Sequence, residues 1–499
     1  MQVQLLRKSS LLLVGSGLLL AGLTDTPAHA AGRLLGTLEF APCHLSSPVA
    51  PTSFEAQCTT LSVPEDRARP DGRKIDLAIA WVPATGEAAP DPVFLLAGGP
   101  GQAAREAWPQ MAGAFADVNR TRHVILVDQR GTGGSHPLVC DTPETAQQDV
   151  LAETVEQSRA LAEQCLALLS KDADVRFYTT TDAIADLDAV RATIGAAQIN
   201  LVGVSYGTRV AQQYAKTYPA ETRTVVLDST ITTELILGSE HAANLQAALN
   251  AQFARCQDVP ACLEHLGDPS THLDAVRTQL DAGGMDKVRF RDAVSGDWIE
   301  EVPSFQHLGL LLRMYAYQSP TAAILPLLLK QAADGDWAPL LAQARLIGGQ
   351  LGEQIHHGMQ LSVLCSEDAD ALVADPAVAD SVMGNQLVEF TLAQCAIWPR
   401  GTVPKDLRTP LSGPVPVLVL AGELDPVTPP RYAEAVVKHL PNGRLLTLPG
   451  QGHSTLGIGC APKLFAQFVE SADAKTLDPG CLKRVAPLPP LAGLYGWEP

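Results

Sequence analysis

At 499 residues, with 46% hydrophobic and 18% charged side chains, the chain has the make-up of a folded globular protein with room for a large core and a second unit. Its formal net charge of −18 argues against nucleic acid or an anionic membrane surface as a partner, because both would repel it. No basic run offsets that charge.

The first thirty residues read as a secretory signal. Arg7 and Lys8 give the positive start, Leu11 to Leu23 an apolar run, and Ala28-His29-Ala30 a small-x-small cleavage site. The run is too short and too poorly flanked for stable membrane insertion, so export after cleavage near Ala30 is expected, to a periplasm or out of the cell. All ten cysteines lie beyond it, an even set that suggests disulfides. Their spacing invites nearest-neighbour pairing: Cys43–Cys58, Cys140–Cys165, Cys256–Cys262, Cys365–Cys395 and Cys460–Cys481, with free buried cysteines as the other possibility. There is no Cys-x-x-Cys and no His-Glu-x-x-His, so no metal is expected.

Leu34–Phe40, Cys58–Val63 and Ile75–Val82 read as antiparallel strands broken by Pro-rich turns. Residues 92–97 and 123–128 are then continuous apolar runs, the mark of strands covered on both faces. A helical region, Thr145–Ser170, precedes Thr180-Thr181-Asp182, which can cap a helix running to Ile194. Ile199–Val204 is a short buried strand, the segment from Thr208 a helix with Val210, Ala211 and Tyr214 on one face, and Thr222–Leu227 another strand. This alternation predicts an α/β fold, a doubly wound, mostly parallel sheet with helices on both sides.

From about Ser229 to Thr409 the alternation stops. Ala242–Cys256, His272–Asp281, Phe305–Gln318, Thr321–Ala333 and Trp337–Leu346 read as helices with apolar residues at three- and four-residue spacing. Such an insertion predicts a helical cap, or lid, over the C-terminal edge of the sheet. The strand pattern resumes at Val415–Ala421, followed by a helix over Pro430–His439, a strand over Arg444–Leu448, a helix near Lys463–Glu470 and an extended strap from Pro479. The expected organisation is a signal peptide over 1–30, a first core part over 31–230, the cap over 231–409 and a second core part over 410–499.

Between a strand and a helix stands Gly203-Val204-Ser205-Tyr206-Gly207. Such a turn admits only residues without bulk at its outer positions and holds the middle residue in strained backbone, side chain outward. Ser205 is therefore the candidate nucleophile. A serine hydroxyl attacks only when a base takes its proton, and the base needs an acid to hold its tautomer. Both follow in the order Ser…Asp…His: Asp425 in the loop after strand 415–421, and His453 in Gly450-Gln451-Gly452-His453-Ser454. Glu423 is the rival acid. The oxyanion needs aimed backbone donors, for which the amides of Tyr206 and of Gly99, in Gly98-Gly99-Pro100-Gly101, are the candidates. That glycine run lacks the Gly-Lys-Ser/Thr ending of a phosphate loop and no dinucleotide fingerprint is present, so no cofactor is expected. Residues 128–135, Asp-Gln-Arg-Gly-Thr-Gly-Gly-Ser, read as structural support beneath this loop, with no direct catalytic role for Arg130.

Together, residues 97–101 (Ala-Gly-Gly-Pro-Gly), 128–135, 203–207, 422–429 (Gly-Glu-Leu-Asp-Pro-Val-Thr-Pro) and 452–454 (Gly-His-Ser) resemble the prolyl and tripeptidyl aminopeptidase branch of the α/β-hydrolases. The likeness runs from about residue 75 to 481, and the Gly-Gly-Pro-Gly and Asp-Gln-Arg-Gly pair is its most specific part. The branch often carries His before Gly-Gly-Pro-Gly, where this chain has Ala97. The resemblance implies a serine exopeptidase that takes residues or short units from the free N-terminus of short peptides, often at proline, and grips the amino group with acids of the cap. A buried ammonium needs a carboxylate, and Glu367, with Asp368 second, is the candidate anchor. Trp337 and Trp398 are candidate walls of a proline pocket, with a place in the core as the plainer reading. A carboxylesterase or lipase-like enzyme is the alternative, since fold and triad do not choose the acyl group.

Overall fold

The computed structural model describes residues 32–48, 50–140, 154–492 and 496. The expected signal peptide and the start of the helical region from Thr145 lie outside the described residues.

The strands in chain order are β1 (Arg33–Leu35), β2 (Leu38–Ser47), β3 (Ala50–Pro64), β4 (Lys74–Val82), β5 (Val93–Leu96), β6 (Val124–Val127), β7 (Ile199–Val204), β8 (Thr222–Asp228), β9 (Val288–Arg291), β10 (Trp298–Glu301), β11 (Val417–Gly422) and β12 (Gly443–Leu448). All but β9 and β10 join one sheet in the order β1-β2-β3-β4-β6-β5-β7-β8-β11-β12. It is antiparallel from β1 through β4 to β6 and parallel from β6 to β12.

The unbroken apolar runs follow from burial on both faces. Phe94, Leu96, Leu201, Val225, Leu227, Val417 and Val419 point into one core; Val93, Leu95, Val202, Val226, Leu418 and Leu420 point into the other. A strand turns successive side chains to opposite faces, so both sets must be apolar. Each fully buried Val, Leu or Phe stabilises the fold by roughly 1.5–3 kcal/mol.

The helices are α1 (Ala104–Met111), α2 (Val155–Leu169), α3 (Thr180–Thr193), α4 (Tyr206–Thr217), α5 (His241–Gln257), α6 (Pro260–Leu266), α7 (Pro269–Ala282), α8 (Phe305–Tyr315), α9 (Ser319–Ala322), α10 (Leu325–Ala333), α11 (Ala338–Gln354), α12 (His357–Glu367), α13 (Gln386–Cys395), α14 (Pro430–Val437) and α15 (Ala461–Ser471). α2, α3, α4 and α14 cover the first core, α1 and α15 the second. α3 starts one residue earlier than its sequence suggests: Thr179 and Asp182 form the reciprocal capping pair, Thr179 Oγ1 accepting the Asp182 amide and Asp182 Oδ2 the Thr179 amide.

The insertion between β8 and β11 divides. Residues of α5, α7, α8, α10 and α11, with Phe290 of the β9–β10 hairpin, enclose a core of their own. By contrast, Met359, Leu361, Val363 and Cys365 of α12 and Cys395 of α13 pack into the first core of the sheet. All ten cysteines pair with their sequence neighbours in the five expected bonds. The tail begins as a short 3-10 helix, Pro479–Arg484, instead of the expected extended strap. Beyond it the chain does run as a strap from core to cap: the Ala486 carbonyl accepts from Gln451 Nε2, the Leu488 amide donates to Ser319 Oγ and the Leu491 amide to the Ala323 carbonyl.

Because the chain passes from β5 outward to β6 and then returns to β7 on the other side of β5, the loops after β5 and β7 meet at the carboxyl edge of the sheet. A crevice at such a reversal is where open α/β sheets bind ligands.

Candidate active site

β7 delivers Ser205 to this edge in a turn that leaves no slack. Ser205 has φ 55° and ψ −122°, a conformation that costs a side-chain-bearing residue energy. A Cβ at Gly203 would lie 2.3 Å from the Gly207 carbonyl oxygen, and one at Gly207 2.2 Å from that of Leu96, so neither position admits another residue. The turn is held by the Ser205 amide donating to the Asp228 carbonyl (3.0 Å) and the Thr208 amide to the Ser205 carbonyl (2.9 Å). Ser205 itself stays half-buried at the mouth of the crevice. The loop after β5 passes directly over it: a Cβ at Gly98 would sit 3.1 Å from that of Ser205, and Gly99, at φ +106°, has backbone that favours glycine. The Tyr206 side chain points away into the core, its hydroxyl 2.7 Å from Thr180 Oγ1 and 3.1 Å from Gln129 Nε2.

Asp425 and His453 meet across the ends of β11 and β12. His453 Nδ1 lies 2.8 Å from Asp425 Oδ2 and 3.0 Å from Oδ1, and both side chains are buried. The carboxylate also accepts the Val427 amide (2.9 Å), the Thr428 amide (2.8 Å) and the Thr428 hydroxyl (2.8 Å). Burial alone would raise the Asp425 carboxyl; His453 and these donors hold it below its ordinary value. Burial likewise opposes the imidazolium, but the charge of Asp425, its hydrogen bond and the charge of Asp228 outweigh that and raise His453 above 6.5. The rival acid, Glu423, accepts the Gly450 amide through its Oε2 at 2.7 Å and so holds the turn before His453.

The cap grips both partners. The His453 amide donates to the Tyr317 carbonyl (2.7 Å), Gln318 Nε2 donates to the His453 carbonyl (2.6 Å), and the Tyr317 ring meets the imidazole edge-on at 4.9 Å. From α5, Asn244 Nδ2 donates to the Val427 carbonyl at 2.9 Å. On the opposite wall, the His356 amide donates to the Gly101 carbonyl (3.0 Å), and His356 Nε2 accepts from the Gly133 amide (3.1 Å).

Comparison with known families agrees with this architecture. Residues 91–278 match the model described as alpha/beta hydrolase fold, and residues 380–481 the model described as TAP-like protein. The chain has the α/β-hydrolase fold. Serine protease Hip1 of Mycobacterium tuberculosis is 25% identical over 455 residues, covering 84% of this chain and 85% of that protein. A tripeptidyl aminopeptidase of Streptomyces lividans is 29% identical over 35% of each chain. Carboxylesterase B of M. tuberculosis is 33% identical over 49% of this chain and 50% of its own.

Loop 128–135 lies against the segment that follows Gly98–Gly101. Asp128 accepts the amides of Arg105 (2.9 Å) and Gly134 (3.0 Å), and burial lifts its carboxyl to about 6. Arg130 is fully buried, bound to Asp186 by two hydrogen bonds (2.6 and 2.7 Å) and to the carbonyls of Glu65 and Phe177.

Glu367 and Asp368 do not stand where an amine anchor must. Both are buried at the end of α12: Glu367 accepts the Thr180 amide (2.7 Å) and hydroxyl (3.0 Å), and Asp368 takes the Arg209 guanidinium at 2.7 and 3.2 Å. Arg209 also lies 3.4 Å from Glu367 and donates to the Leu235 carbonyl. The two acids neutralise a buried arginine on the elbow helix and are committed to it, so neither is available to a substrate ammonium. Trp337 and Trp398 are likewise core residues, their indole N–H groups bound to Gln279 and Ser362.

Three further residues gather at this edge. Asp228 closes β8 and ties Ser205 to the His453 loop through Thr455 and Leu456. Arg313 of α8 and His241 of α5 lie close enough to His453 for charge to act between them. Asp228 ends an apolar strand, which is a sequence signal of a residue at the functional edge; Arg313 and His241 carry none, because only tertiary packing brings them there.

Proposed function

We propose that the protein is an exported serine peptidase that removes residues or short units from the free N-terminus of peptides, with proline or small residues preferred near the cut. Ser205 attacks the scissile carbonyl carbon while His453 takes its proton at Nε2. Asp425 holds the Nδ1–H, which fixes the tautomer and steadies the imidazolium. The oxyanion is received by the amides of Tyr206 and Gly99. His453 then gives its proton to the leaving amine, the acyl-enzyme forms, and water repeats the attack with His453 again as base.

The observation that carries this reading is the pairing of a strained, accessible Ser205 with a buried His453–Asp425 couple at one sheet edge. A peptide as substrate is supported by the TAP-like match over residues 380–481 and by the serine protease alignment over 84% of the chain. Export is supported by five disulfides, which persist in oxidising compartments; among the described residues no helix is long and apolar enough to cross a membrane. The carboxylesterase relative favours the second reading, an ester-cleaving enzyme on the same scaffold.

Hydrolysis of Pro, Ala-Pro and Ala-Ala-Pro anilides, each with a free and an acetylated N-terminus, separates the two. Cleavage confined to free-amine compounds is expected. Equal cleavage of the acetylated set, or activity limited to simple esters, would establish the esterase.

A further inference from the structure

The arginines buried around the core are paired. Arg130 holds Asp186, Arg209 holds Asp368, and Arg122 holds Asp91. Arg313 is different. It stands on α8, four residues before Tyr317, whose carbonyl holds the His453 amide and whose ring lies against the imidazole. Its side chain is half-buried and, among the described residues, no carboxylate pairs with it; its buried Nε, like those of Arg105 and Arg209, makes no hydrogen bond. Arg313 shares a side-chain hydrogen bond with Tyr317, and its charge acts at Tyr317, at His241 and at His453. His241 supplies no second charge, because burial, then Arg313 and His453, drive its pKa down to about 3.

A half-buried guanidinium without a carboxylate partner is poorly compensated, and a chain with 54 acidic residues has no shortage of partners to place beside it. A planar fork of donors is also the side chain best matched to a carboxylate. The oxyanion loop covers Ser205 from the Gly98 side, whereas Arg313 stands beside the imidazole that protonates the leaving group. We infer that Arg313 receives a carboxylate carried by the leaving portion of the substrate, either the C-terminal carboxylate of a short peptide or an acidic side chain just beyond the cut. This makes Arg313 a specificity-determining residue. It rests on the serine hydrolase chemistry proposed above but not on the free-amine requirement.

The test is the ratio of kcat/KM between charged and neutral partners, measured on the full mature chain. Ala-Ala-Pro-Ala is compared with its C-terminal amide, and Ala-Ala-Pro-Asp-amide with Ala-Ala-Pro-Asn-amide. A ratio of roughly 10 to 100 is expected in one pair, as for a hydrogen bond to a charged group. The first pair responding assigns the terminal carboxylate; the second assigns the side chain. In Arg313→Met that ratio should fall to near one, and Arg313→Lys should restore part of it. A wild-type ratio near one in both pairs overturns the proposal without any variant. So does a ratio that survives in Arg313→Met, which would leave Arg313 only as a neighbour of His453. Should peptides not be cut while esters are, the peptidase reading fails, and the same ratio is then read on acetate esters of 4-hydroxybenzoate and 4-hydroxybenzamide.

Discussion

The carboxylate of Asp228 accepts both the amide and the hydroxyl of Thr455, each at 2.8 Å, while its backbone carbonyl accepts the amide of Ser205 at 3.0 Å. One residue thus spans the loops that carry Ser205 and His453, and a third contact, from the Leu456 amide at 2.9 Å, completes its shell. Asp228→Asn leaves one of these donors without its acceptor and frees the His453 loop to shift. Because small displacements of reacting groups are expensive, kcat should fall about 10- to 100-fold with KM little changed. A change confined to KM would mean that Asp228 does not position the couple.

Under the proposed mechanism the His453–Asp425 couple sets the pH dependence. The base works only when neutral, and its pKa is raised above 6.5, so kcat/KM should drop as pH falls through a midpoint above 6.5. The stability term has the opposite sense: a raised histidine pKa contributes stability below the unfolded value that is lost as pH rises through the folded one. In Asp425→Asn the upward pull disappears, so the midpoint should move down while kcat falls by about 10⁴-fold, the scale seen when a triad acid becomes an amide. The pH–rate profile checks both.

Arg209 and its two acids form a buried ion group on the elbow helix, reached by Glu367 and Asp368 from α12. Arg209→Met strands two carboxylates in the core and should destabilise the chain by about 3–5 kcal/mol in denaturant titration. Glu367→Gln should leave KM for free-amine peptides unchanged, since the side chain holds Thr180; a large rise in KM would return it to the amine-anchor role.

The disulfides differ in what they constrain. Cys365–Cys395 closes 30 residues between α12 and α13, whereas Cys256–Cys262 closes 6. If loop entropy governs, replacing the first pair by alanine should cost about 1–1.5 kcal/mol more than replacing the second. Equal losses in chemical denaturation would contradict that.

What the sequence carried depended on how local the cause was. The elbow was legible because Gly203 and Gly207 are required by contacts a few residues away or on the adjacent strand, and the sheet because β5, β7, β8 and β11 are apolar on both faces. The cysteine pairs were legible because each closes a short loop. Glu367 was misread because its partner, Arg209, lies 158 residues away and looks on its own like a surface charge on a helix. The β9–β10 hairpin escaped notice because its strands are four residues each and carry Arg289, Arg291 and an exposed Trp298. Helix α1 was hidden by Pro109, and α12 and α13 by sequences whose apolar residues serve a core distant in the chain.

The most direct measurement is mass spectrometry of the mature chain after treatment with a fluorophosphonate, which reacts with a serine only when a neighbouring base activates it. One adduct, on the peptide containing Ser205, is expected, with loss of hydrolysis in proportion to labelling and no adduct in Ser205→Ala or at pH well below the His453 midpoint. Hydrolysis that survives complete labelling, or that persists in Ser205→Ala, would contradict the assignment of Ser205 as the nucleophile.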